Sequence, residues 1–99
     1  MGYYTDVGVQ IANEHLEEYL SWERENWPYE CREKKEYDDS TVFFYPSIYN
    51  INKIKDTPLK WCSNNLQDDE YYIIEDGEYG REEYGCPDEY HIWCGIMFE

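Results

Sequence analysis

Tyr3-Tyr4-Thr5-Asp6-Val7-Gly8-Val9-Gln10-Ile11-Ala12 is the stretch that decides the fold. Tyr3, Thr5, Val7, Val9 and Ile11 recur at period two, with Asp6, Gly8 and Gln10 between them. That alternation, rich in β-branched residues, predicts a half-buried β-strand. The pattern then changes. Asn13 suits a helix N-cap, and Glu14, Glu17 and Glu18 suit the positive end of a helix. Leu16, Tyr19, Leu20 and Trp27 form a stripe at helical spacing. Pro28 disfavours helical geometry at Trp27, so the helix should stop near Asn26.

Further along, residues 30–37 and 41–46 read as a hairpin around Asp38-Asp39-Ser40, ended by Pro46. The charged first strand, Glu30 to Glu36, suits a sheet edge. Ile48, Ile51 and Ile54 at spacing three predict a short helix or irregular connection. Leu59–Cys62 is expected to be a short strand, Leu66–Glu70 a helical turn, and Tyr71–Glu75 a strand. Glu82-Glu83-Tyr84 is a short extended piece, and Tyr90–Phe98 a central strand apolar on both faces. Runs of strands with one main helix give a single α+β domain over residues 1–99. The expected architecture is an antiparallel sheet of about five strands with the helix on one face, ferredoxin-like being one candidate topology.

Composition narrows the function. The chain has 99 residues, a net charge of −15, and 19% aromatic residues. Acidic chains poor in aromatics stay disordered; twelve Tyr, four Trp and three Phe predict a folded core instead. The charge is uneven, with eleven acids and one base, Arg81, after residue 65. Adaptation to high salt is a poor explanation, because large aromatics and lysines are both present. The start lacks the positive residues and apolar run of a secretory signal, and no stretch is apolar enough to span a bilayer. A cytoplasmic location is therefore expected. Cys31, Cys62, Cys86 and Cys94 then read as reduced thiols.

Catalysis finds little support. His15 falls in the first helical turn, where a cation is disfavoured, and reads as a solvent-facing residue. His91 reads as structural. Cys86, His91 and Cys94 lack a C-x2-C pair and a fourth ligand, so no metal and no cofactor are expected. Acids outnumber bases nearly three to one, which disfavours direct binding to nucleic acid.

The acidic surface is itself the candidate site. Duplex DNA carries one charge per ~1.7 Å of axis, so fifteen charges match roughly 25 Å of duplex. The residues expected to present this charge are Asp68, Asp69, Glu70, Glu75, Asp76 and Glu78, followed by Glu82, Glu83, Asp88 and Glu89. Tyr79 and Tyr84 are expected to add aromatic anchors. Glu14, Glu17, Glu18 and Glu25 extend the surface from the helix. The expected partner is a nucleic-acid-binding protein with a basic groove. The rival expectation is a module that docks through a sheet edge or an exposed Trp22, Trp27, Trp61 or Trp93, as a homodimer or virion accessory protein.

The opening Met1-Gly2-Tyr3-Tyr4-Thr5-Asp6-Val7 resembles the start of small acidic bacteriophage proteins, in which Tyr-Tyr-Ser/Thr-Asp-Val leads into a helix. The composition resembles that of DNA-mimicking anti-defence inhibitors. The resemblance implies a phage-encoded inhibitor of a host defence protein, such as a CRISPR effector or a restriction enzyme, and carries over no catalytic residue.

Overall fold

The structure, a computed structural model, describes residues 3–78, 80–93, 97 and 98. Strands β1 (Tyr4–Ala12), β2 (Glu33–Glu36), β3 (Ser40–Tyr49), β4 (Tyr71–Gly77) and β5 (Gly80–Tyr84) form one sheet in the order β2-β3-β1-β4-β5. Every neighbouring pair is antiparallel. Helix α1 (Leu16–Asn26) crosses from β1 to β2, and α2 (Pro58–Asn65) from β3 to β4. Each crossover skips one strand, so two split β-α-β units interleave. The molecule is an α+β protein, as the sequence predicts.

Strand β1 is central rather than half-buried. On one face Val7, Val9 and Ile11 join Phe43, Tyr45, Tyr71 and Ile73 beneath both helices. Tyr19 of α1 sits over this face, its ring centroid 5.0 Å from Phe43 and 5.6 Å from Trp61 of α2. Trp27 is buried and packs 4.7 Å from Tyr29 and 5.8 Å from Tyr45. On the other face Gly8 and Gln10 are buried too. Val42, Tyr72 and Ile74 form a second core with Ile92 there. The Gln10 amide holds the segment carrying Ile92 in place: Nε2 donates to the Glu89 carbonyl (2.7 Å), and Oε1 accepts from the His91 amide (2.9 Å).

Several local expectations are corrected. Asn13 does not cap α1. A 3-10 turn, Asn13–His15, precedes the helix, and the Asn13 side chain bonds the Tyr37 and Asp38 carbonyls and the Thr41 hydroxyl instead. Pro46 does not end its strand. Asp6 faces both Pro46 and Ser47 in a bulge where no ladder donor is needed from proline, and β3 continues to Tyr49. Ser47 has φ 55° there, and its amide donates to Asp6 (2.8 Å). Residues 59–62 are not a strand. Thr57 accepts from the Lys60 amide as N-cap and Pro58 occupies the first turn, so the segment folds as α2. The last strand is not central. Ile92–Trp93 (β6) and Met97–Phe98 (β7) pair with each other outside the main sheet. The facing predicted for residues 94–96 lies outside the described residues.

The edge position of β2 and the end of α1 at Asn26 agree with expectation. Cys31, Cys62 and Cys86 are free thiols, and Cys94 lies outside the described residues. Among the described residues no helix is long and apolar enough to cross a membrane.

Candidate functional site: an acidic end of the sheet

The fold gathers carboxylates at the end of the sheet where β1 finishes and β4 begins. Antiparallel pairing brings the β2–β3 turn with Asp38 and Asp39 to this end, and the Asn13 amide donates to the Asp39 carbonyl (3.0 Å). The chain enters α1 here, placing Glu14 and Glu18 around His15. The 3-10 turn Asp68–Glu70 lies immediately before β4, with Asp68 and Asp69 exposed. The Cys86 amide donates to the Asp68 carbonyl (2.6 Å), bringing in the loop that carries Asp88 and Glu89. A cleft of about 170 Å³ between these loops is lined by Asp39, Asp69, Glu70 and Asp88, with Gln10 at its base.

Two histidines sit among these acids. His15 Nε2 bonds Glu70 Oε2 at 2.7 Å. The other Glu70 oxygen accepts from the Gln67 amide (2.8 Å), closing a capping box on the turn. That amide, and then His15, hold the Glu70 carboxyl below its ordinary range. In return the bond to Glu70 outweighs desolvation and holds His15 above its ordinary value. His91 is buried, stacks on Tyr37 at 3.9 Å, and meets Asp39 Oδ1 at 2.9 Å. Burial pushes Asp39 upward, yet the contacts with His91 and nearby donors prevail, and its net shift is downward. Neither histidine is therefore a free surface residue. Two donor sets, Glu14-His15-Glu70 and Asp39-Glu89-His91, lie close enough to share a cation. The histidine–carboxylate hydrogen bonds account for both geometries without one.

The predicted acidic surface is divided rather than continuous. Asp68, Asp69, Glu70, Asp88 and Glu89 belong to the end just described. Glu75, Asp76, Glu78 and Glu82 lie at the opposite end, beside the β4–β5 turn. The cause is strand length: seven residues of β4 separate the groups by roughly 20 Å at ~3.3 Å per residue. Glu83 lies along β5, where it pairs with Arg81 (3.4 Å) and accepts from the Tyr72 hydroxyl. Tyr84 packs against the core and donates to Glu82, which raises its hydroxyl to about 12; it is no exposed anchor. Tyr79 lies outside the described residues. Of the helical acids, Glu14 and Glu18 join the cluster, while Glu25 sits at the far end of α1.

Sequence reasoning missed Asp38 and Asp39 as site residues, treating them only as a turn. It also missed both histidine–carboxylate pairs, whose members are 55 and 52 residues apart. No family model, curated protein or solved structure matches the chain.

Proposed function

We propose that the protein is a non-enzymatic, phage-encoded inhibitor that inserts its acidic sheet end into the basic groove of a host nucleic-acid-binding protein. The CRISPR effectors and restriction enzymes of host defence are the target class. The observation that carries this reading is the convergence of carboxylates from four separate segments, around residues 14–18, 38–39, 68–70 and 88–89, with His15 and His91 bonded among them. Turns and loops tied to one another and to the sheet by hydrogen bonds hold these acids, so ordering them on binding costs less entropy than ordering a free chain. A concentrated negative field also speeds encounter with a Lys/Arg-lined surface. The same field repels nucleic acid, so the inhibitor competes with DNA rather than binding it.

Three of the four tryptophans named for the rival docking reading offer little free surface; the Trp93 side chain lies outside what is described. Trp27 is buried, and Trp22 and Trp61 pack against the core. We further propose to class the topology as ferredoxin-like, with β5 added beside β4; this arrangement supports the fold and says nothing of the target.

The test is competition in a DNA-binding assay with a purified CRISPR effector and a purified restriction enzyme. Inhibition is expected to fall steeply between about 50 and 200 mM salt, as charge-dominated contacts do. Joint reversal of Asp68, Asp69 and Asp88 to Lys is expected to weaken inhibition at least ~10-fold, consistent with the loss of several charged contacts. Salt-independent inhibition, unaffected by these reversals, or no inhibition of either enzyme, argues against the proposal.

A further inference from the structure

At the opposite end of the sheet lies a groove of about 520 Å³, within the range of small-ligand sites. It runs between the 3-10 turn Ile51–Lys53 and the β4–β5 hairpin. Thr5, buried, and Gly77 form its floor. Gly77 is needed there, because a Cβ would stand 2.9 Å from Thr5 Oγ1. Tyr3 and Ile51 line the groove with apolar surface, and Asn52 adds an amide.

Two carboxylates enter this space side by side. Glu75 and Glu82 are cross-strand partners on the face of the sheet that carries Val7. Glu82 accepts a hydrogen bond from Tyr84. Glu75 is half-buried and has no hydrogen-bond or ion-pair partner among the described residues. Desolvation, and then the charge of Glu82, hold its carboxyl above the ordinary range. Arg81 reaches the rim, but its guanidinium pairs with Glu83 on the other face (3.4 Å).

We propose that this groove binds an alkylguanidinium group, clamped between the Glu75 and Glu82 carboxylates with its alkyl stem along Tyr3 and Ile51. Directly opposed cross-strand residues hold their Cβ atoms ~4.5–5.5 Å apart, a spacing that a planar, multi-donor cation spans. A guanidinium is preferred over an ammonium because it meets carboxylates through paired, parallel N–H bonds and is more weakly hydrated. A small divalent metal is a poorer match, since it seeks six or more oxygens and the groove offers apolar walls. The site is separate from the acidic end and does not depend on the function proposed for it.

The experiment is a titration of the isotope-labelled protein, followed by backbone amide NMR. Agmatine is expected to shift the Thr5, Asn52, Gly77 and Gly80 amides along saturating curves. Glu75→Gln, with its fold checked by circular dichroism, is expected to weaken binding at least ~10-fold, the scale of a lost charged hydrogen bond. Asp69→Asn at the other end should leave it unchanged. N-butylamine should bind several-fold more weakly. N-acetyl-arginine methylamide distinguishes the source: binding equal to that of agmatine assigns the site to an arginine side chain of a protein, and binding of agmatine alone assigns it to a free small molecule. Shifts that do not saturate, that persist equally in Glu75→Gln, or that n-butylamine reproduces at the same concentration overturn the proposal.

Discussion

Tyr45 shows how much a single hydroxyl can hold. Fully buried on the helix-covered face, it accepts from the Tyr19 hydroxyl (2.8 Å) and donates to the Glu23 carboxylate. Tyr45→Phe keeps the ring and strands both partners. It is expected to cost about 1–3 kcal/mol in urea unfolding, the usual penalty for an unsatisfied buried group. The His15–Glu70 pair behaves differently, because it titrates. His15 is raised above its ordinary 6.5, so its contribution is complete below that value and is lost as pH rises through the raised one. Glu70 is lowered from 4.5, so its contribution is present above that value and is lost as pH falls through the lowered one. The stability lost in His15→Gln should therefore be greatest near pH 5–6 and shrink by pH 9, as followed by thermal melts. None of these pairings was legible in the sequence. Tyr19 and Tyr45 are 26 residues apart, and local spacing carries no information on which hydroxyl meets which acid.

Elements were legible where their period was long and unbroken. Nine residues of alternation gave β1, and the α1 stripe with Pro28 after it gave both the helix and its end. The failures lie where a short apolar run fits either state. Leu59, Trp61 and Cys62 suit a strand in isolation, but Thr57-Pro58 is a helix start, and the cap decides the matter. Thr57→Ala is expected to lose about 1 kcal/mol, measured as a shift in the denaturation midpoint. Pro46 misled for a related reason: a bulge excuses the missing donor, and period counting cannot anticipate a bulge. After β5 the chain turns at Gly85, with φ +94°, where a Cβ would lie 2.1 Å from the Tyr71 carbonyl oxygen. Gly85→Ala is expected to cost at least about 2 kcal/mol, since the strained conformation and the backbone clash act together.

Across the whole molecule, net charge opposes compaction. The protein measures 40 × 30 × 22 Å, and the screening length falls from ~30 Å at 0.01 M salt to ~3 Å at 1 M. Carboxylates at both ends of the sheet thus repel one another across the molecule in dilute buffer and cease to do so in concentrated salt. The melting temperature should rise over that range in calorimetry, opposite to the expected effect of salt on partner binding. The sequence stated how much charge there is and that two-thirds of the net charge follows residue 65. It could not state that β4 would carry Glu70 and Glu75 toward opposite ends, because that follows from pairing. The Gln10 clamp has a consequence during synthesis. Its two main-chain partners emerge 79 and 81 residues after it. At ~5–20 residues per second, the outer face of β1 waits roughly 4–16 s on the ribosome before Ile92 can cover it. Until Ile92 docks, Val42, Tyr72 and Ile74 have no cover on this face, the moment when a chaperone would find most to hold.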